Sequence, residues 1–283
     1  MKFVPMSELL KDAVEGGYGI PSFCVWNIEV MNAILGVAQD LRAPVILMNG
    51  PGEFRVLDPE LVVGAAELAA RRYNVPAALH LDHGDSPERV RECLEAGYTS
   101  VMLDYSTRPV EENVEALRQV VSAAHPLGVT VEGEIGHVGR ADTMTVEGEG
   151  DSTLTRPEQA ADYVARTDVD ALAVSIGNAH GRYAKLPRFD FERLEAIHRA
   201  VPVPLVLHGG SGTPDEDLKR AISLGMAKIN VATELVTAMR ESLRRDLTGD
   251  HPSWPPHAHA ESISAMVPVM VRWLTLTGAA GRA

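Results

Sequence analysis

Ala77–Ser86 reads AALHLDHGDS, an apolar run that ends in two histidines bracketing an aspartate. Buried runs elsewhere in the chain end in the same kind of chemistry. Asp104 closes SVMLD, Glu132 and Glu134 sit in VTVEGEI, and His180 lies in GNAHG. His208 closes PLVLH and is followed by GGSG, and Asn230 sits in AKINV, just before Ala232 and Thr233. Three histidines at separate run ends could form an open metal site, with three protein ligands and one position left for water or substrate. Such an ion acts as a Lewis acid on a carbonyl. Asp82, beside His83, is then placed to move a proton. The alternative is that each histidine is a hydrogen-bonded core or surface residue, and the spacing alone leaves both readings open. His80, two residues before Asp82, has the parity of a core position and reads as a supporting residue. His125, His137, His198, His251, His257 and His259 read as solvated or local. GGSG (209–212) could cradle a phosphate, because glycines let backbone N–H groups approach an anion at a helix start; a plain turn is the other reading.

These residues need a scaffold that delivers run ends to one rim. Eight short apolar runs occur, at 19–25, 44–48, 77–81, 100–104, 129–135, 171–176, 204–208 and 227–231. Each is rich in aliphatic residues, as strands buried on both faces are. Helix-like segments separate them. Ser86-Pro87 places a cap before a proline at the first helical position, and Asp85 reads as part of that helix start. Thr155 with Glu158, and Thr213 with Glu216, have capping-box spacing. Gly97 and Gly225 fall where helices should stop. This alternation predicts an α/β fold, a (β/α)8 TIM barrel forming a single domain over 1–283, with a doubly wound sheet as runner-up. In a barrel the chemistry sits at the C-terminal ends of the strands. Residues 136–154, with four glycines and no steady period, read as a mobile active-site loop. Residues 251–261 read as a loop before a last helix. MVPVMVRWLTL (266–276) reads as either a subunit interface or a core helix.

The net charge is −13 over 283 residues. That argues against a nucleic-acid partner, which needs a basic face. It does not exclude a phosphorylated substrate, since backbone N–H groups and a metal can make a pocket locally positive. Cys24 and Cys93 form no paired motif, so a reducing compartment is expected. The first seventeen residues read as an amphipathic helix, not a signal peptide, and no run approaches the ~20 apolar residues of a membrane span. A cytoplasmic protein with no membrane partner is the expectation.

The segments ALHLDHG, VEGEIG, IGNAHGRY with FDFERLEAI, LVLHGGSGTP and KINVATEL together resemble the class II, zinc-dependent ketose-bisphosphate aldolases. The likeness runs from GYGIPSFCVWNIEV to the closing TGAAGRA and lies closest to the tagatose-bisphosphate and fructose-bisphosphate branch; NVATEL looks closest to the tagatose-bisphosphate side, since fructose-bisphosphate enzymes tend to have a polar residue at the position of Ala232. The resemblance implies that His83, His180 and His208 bind Zn2+ and that Asp82 is the acid/base at the C4 hydroxyl. Asp104 and Glu134 match groups tied to an alternative, more buried metal position. Gly181, Gly209, Ser211, Asn230 and Thr233 match residues around the dihydroxyacetone-phosphate end, where the family also binds a monovalent cation (Na+ or K+). A homodimer or homotetramer is implied as well.

Four departures bear on substrate. Cys24, at a substrate-binding position, stands where the family usually has Asn, and Tyr105 replaces a glycine beside Asp104. LMNGPGEF follows the family's glycine-rich stretch only loosely. The loop glutamate that serves as second acid/base falls near Asp142, with Glu147 and Glu149 as other candidates. A ketose 1,6-bisphosphate is the leading substrate and a deoxy-keto-gluconate phosphate the alternative. Outside the aldolases, a metal-dependent hydrolase would use the same three histidines to activate water. FCVWN lacks the His-x-His pair such barrels often carry. A non-catalytic subunit would have lost the rim set, which is intact.

Overall fold

A computed structural model describes residues 3–139, 154–181 and 186–283. Eight strands form the sheet: β1 (Ile20–Cys24), β2 (Val45–Asn49), β3 (Ala77–Gly84), β4 (Ser100–Leu103), β5 (Thr130–Ile135), β6 (Ala171–Val174), β7 (Leu205–Leu207) and β8 (Met226–Val231). Every neighbour pairs in parallel, in chain order, and β8 pairs back onto β1 through Ser22 opposite Asn230. This is a closed single-domain (β/α)8 barrel, as the alternation predicts. Strand residues are nearly all buried, because the helices cover one face and the lumen the other.

Helix α1 (Met6–Gly16) precedes the barrel and packs under it. Its Ser7 amide donates to Thr130 Oγ1 at 2.9 Å, at the first residue of β5. The crossover helices are α2 (Ile28–Asp40), α3 (Pro59–Ala69), α4 (Pro87–Ala96), α5 (Val110–Ala124), α6 (Pro157–Thr167), α7 (Phe191–Ala200), α8 (Asp215–Ser223) and α9 (Thr233–Leu247). Two more follow, α10 (Pro255–Ser264) and α11 (Val267–Leu276). α11 buries Met270, Trp273 and Leu274 within the chain, so its apolar run is a core helix. No helix among the described residues is long and apolar enough to cross a membrane.

Local signals hold unevenly. Ser86 caps α4 by accepting from the Arg89 amide, and Gly97 ends that helix in the left-handed region at φ 106°. The two expected capping boxes do not form. Thr155 instead staples strand ends: its Oγ1 donates to the Ile135 carbonyl at 2.6 Å and accepts from the Ser175 amide at 2.8 Å. α6 then starts at Pro157 with no side-chain cap. Likewise Pro214 precedes α8 without a side-chain cap, and the Thr213 hydroxyl is buried without a hydrogen-bond partner. Residues 251–261 contain the first turns of α10, started by Pro255 and Pro256, where a proline-rich loop was expected. Proline suits the first helical turn, whose N–H groups have no intrahelical partner.

Candidate active site

β3 runs further than its apolar residues. It includes Asp82, His83 and Gly84, and its register to β4 shifts between Leu81 and Gly84. The irregularity puts His83 in the left-handed region at φ 47° and turns Asp82 and His83 toward the same rim. His180 follows β6 and His208 follows β7, so closure brings three distant histidines together. His83 Nε2 lies 3.1 Å from His180 Nε2 and 2.9 Å from His208 Nδ1.

The other nitrogen of each ring is occupied. His83 Nδ1 meets Asp104 Oδ2 at 2.7 Å, His180 Nδ1 meets the Val138 carbonyl at 3.1 Å, and His208 Nε2 meets Glu132 Oε1 at 2.8 Å. A carbonyl or carboxylate only accepts, so each of these nitrogens carries the proton and donates. The three remaining nitrogens therefore face one another. That arrangement is repulsive unless a cation sits among them. Outer N–H groups held by carboxylates or carbonyls are the usual support of metal-bound histidines. Tetrahedral nitrogens about 2.0–2.1 Å from zinc stand about 3.3 Å apart, close to the spacing here. Glu134 adds a further donor: its Oε2 is buried, has no hydrogen-bond partner, and lies 3.7 Å from His208 Nδ1. The residues fit a divalent metal.

Electrostatics agree. Burial opposes a charge on His83, but Asp82 and the Asp104 hydrogen bond push its pKa up to about 10. Burial and its positive neighbours push His180 down to about 3. With its Nδ1 N–H donating to Asp104, the extra proton that His83 takes up without a metal sits on Nε2, inside the cluster, where a metal would displace it on binding. Asp104 is braced by Ser106, whose amide and hydroxyl both donate to Oδ1, at 3.1 and 2.7 Å. His83, Asp104 and Glu134 form a second convergent group that could take an ion. His137 meets Ser106 Oγ at 3.2 Å and His125 meets Asp170 at 3.1 Å, so both have local partners.

Asp82 is held on one oxygen. Asn230 Nδ2 donates to its Oδ1 at 2.9 Å, and its Oδ2 lies 3.9 Å from His83 Nε2. Burial alone would raise its pKa, but His83 and Lys228 outweigh it and hold the carboxyl below the usual range. Asn230, expected at the phosphate end, thus meets Asp82 directly, and its own Oδ1 is buried without a partner. Cys24 ends β1 nearby, where burial, then Glu53 and Asp82, raise the thiol well above its usual range and keep it neutral. Gly50 lets the β2 loop lie against Asp82: a Cβ there would stand 2.4 Å from the Asp82 carbonyl oxygen. Tyr105 packs on the core, with the Arg108 guanidinium 3.9 Å over its ring.

Gly181, Ser211 and Thr233 do come together, lining a cavity of about 400 Å³ with Gly212 and Glu234. Gly209 is required for contact. A Cβ there would lie 2.0 Å from the Ala179 carbonyl oxygen and push the His180 segment away. The helix after GGSG is not the anion site expected of it, since α8 opens with Asp215, Glu216 and Asp217. The Gly212 amide is already given to Glu234 Oε1 at 2.9 Å. The start of α9, with Thr233, is what borders the cavity. Asp142, Glu147 and Glu149 lie outside the described residues.

Sequence reasoning assigned no role to Glu132 or Lys228, although both are buried inside the barrel and Glu132 holds His208. The signal was parity. Glu132 is two residues from Glu134 and Lys228 two from Asn230, so each shares the lumen face of its strand.

The chain is 34% identical to the YdjI aldolase of Escherichia coli K12, with a TM-score of 0.89 and 100% of both chains covered. It is 31% identical to a candidate fructose-1,6-bisphosphate aldolase of Coccidioides immitis, with a TM-score of 0.87, covering 97% of this chain and 96% of that one. The fructose-bisphosphate aldolase of Campylobacter jejuni, at 23% identity, shares the fold with a TM-score of 0.84 over 98% and 95% of the two chains. Residues 4–282 match the class II fructose-bisphosphate aldolase family. With nearly its whole length inside that match and a histidine cluster built for a cation, the chain belongs to the class II fructose-bisphosphate aldolases, metal-dependent carbon–carbon lyases.

Proposed function

We propose that the protein cleaves a phosphorylated ketose, foremost a ketose 1,6-bisphosphate, to dihydroxyacetone phosphate and an aldehyde, with Zn2+ held by His83, His180 and His208. The observation that carries this reading is the convergence of three imidazole nitrogens, each ring fixed by a hydrogen bond on its far side. When bound, the ion supplies Lewis-acid stabilisation of negative charge on substrate oxygens. The remaining work falls to the chain. Asp82, ionised and steadied by Asn230, takes the proton of the C4 hydroxyl. The C3–C4 bond breaks, the aldehyde leaves, and the electron pair stays on C3. An acid of the 136–154 segment, Asp142, Glu147 or Glu149, returns a proton to C3.

Gly181, Gly209, Ser211 and Thr233 line the phosphate end, with a Na+ or K+ ion beside it. Asn230 reaches that end from the Asp82 side. Asp104 and Glu134 orient His83 and offer the ion a second position. Cys24, neutral beside Asp82, contributes shape without charge at the aldehyde side. The protein acts as a homodimer or homotetramer, which light scattering checks.

Stripping the metal with a chelator is expected to abolish cleavage and added zinc to restore it; full activity in stripped enzyme would refute the reading. A panel of tagatose 1,6-bisphosphate, fructose 1,6-bisphosphate and a deoxy-keto-gluconate phosphate, read by the three-carbon fragment released, ranks the substrates.

A further inference from the structure

Below the histidine cluster lies a second group with the makings of a metal site. His80, Asp82 and Glu132 bring one ligand atom each within 4.8 Å of one another. This group already contains a cation. Lys228 Nζ lies 2.9 Å from Glu132 Oε2, 3.3 Å from His80 Nε2 and 3.8 Å from Asp82 Oδ1. Lys228, His80 and Glu132 are wholly buried. They come from β8, β3 and β5, which are not neighbours in the sheet, so the contacts cross the lumen.

The ammonium touches both parts of the machinery above it. Glu132 spends one oxygen on Lys228 and the other on His208 Nε2, at 2.8 Å. That second bond leaves the His208 Nδ1 lone pair for the metal. Asp82 Oδ1 faces Lys228 and Asn230, which leaves Oδ2 on the side of the histidines. A buried carboxylate stays ionised only beside a compensating charge. Without that ammonium nothing anchors Glu132 Oε2 across the lumen, and the carboxylate that orients His208 is free to turn.

Resting on the reading that the three histidines hold the metal, we propose that Lys228 is a positioning residue, a tethered cation that sets His208 through Glu132 and fixes Asp82, and so tunes metal affinity and proton transfer together. It is never in contact with substrate. Its ammonium also fills the place that a metal ion would take among His80, Asp82 and Glu132, so no divalent ion is expected there.

The test measures the zinc dissociation constant by competition with a chromogenic chelator, alongside kcat, KM and the melting temperature, for the zinc-loaded parent and Lys228→Met. The partners that orient metal-bound histidines are typically worth about 10–100-fold in metal affinity or activity. Lys228→Met is expected to weaken zinc binding and to lower kcat, each within that range, with KM changed less than about threefold. Adding Glu132→Gln to Lys228→Met should cost little more, because both act on His208 by one route. A folded Lys228→Met protein with parental zinc affinity and kcat overturns the proposal, and so does a loss confined to melting temperature. Should Lys228→Met fail to fold, Lys228→Met with Glu132→Gln removes both buried charges, and parental affinity and kcat in that protein overturn it equally. The zinc constant is read without turnover. A parent that cleaves substrate fully when metal-free would sink the proposed function while leaving the positioning result to stand on its own.

Discussion

Two clusters of potential metal ligands are stacked in one barrel, and they solve the same electrostatic problem differently. His80, Asp82 and Glu132 surround an ammonium supplied by the chain itself. His83, His180 and His208 surround a point toward which the chain directs ring nitrogens and no cationic side chain from another element. The deeper cluster is complete once folded. The upper one is finished only by an ion that can leave its coordination open to substrate. A charge meant to organise is tethered, whereas a charge meant to react is left exchangeable.

The comparison breaks most sharply at the upper cluster. His208→Ala should abolish tight zinc binding and lower kcat/KM by on the order of a thousandfold, since a Lewis-acid ion is worth several kcal/mol of transition-state stabilisation; metal analysis and steady-state kinetics check both. Asp82 borders both clusters. Asp82→Asn should lower kcat by about 10²–10⁴-fold while metal content stays at the parental level, which separates proton transfer from metal binding.

The lower cluster predicts an acid sensitivity. Burial, then Lys228, depress His80 to about 3, against about 6.5 in an unfolded chain. Its contribution to stability is therefore complete above pH ~6.5 and is lost as pH falls toward ~3. Unfolding there takes up about one proton, a slope near 1.4 kcal/mol per pH unit. Denaturation of metal-stripped protein between pH 4 and 6 should show His80→Gln with a slope shallower by about that amount. An equal slope would mean that His80 is not held neutral. The smallest effect is expected at Ser106, which braces Asp104 behind His83. Ser106→Ala should weaken zinc binding by about tenfold or less, the scale of the about 0.5–1.5 kcal/mol that one ordinary hydrogen bond contributes, with no change in the His80 slope.

How much of this was legible follows from the range of the interactions. The strands were readable because each is a short aliphatic run between helix signals. His83, His180 and His208 were readable because unusual side chains at run ends stand out. Lys228 and Glu132 were visible as residues but not as partners, because β5 and β8 meet only across the lumen after the barrel closes. Asn230 was placed with the phosphate and is found on Asp82, since the sequence does not fix which way a side chain at the rim turns. Thr155 was read as a helix cap because capping and strand stapling use the same hydroxyl chemistry, and burial between β5 and β6 selects the second.

The backbone at His83 has one further consequence. Its φ of 47° lies in a region that glycine occupies freely and other residues at a cost of order 1–3 kcal/mol. One of the three residues proposed to hold the metal therefore stands where the chain would fold more comfortably without it. Selection for robustness alone would push this position toward glycine or asparagine and silence the enzyme first, leaving a sound barrel behind. An engineer stabilising this scaffold should therefore leave position 83 alone.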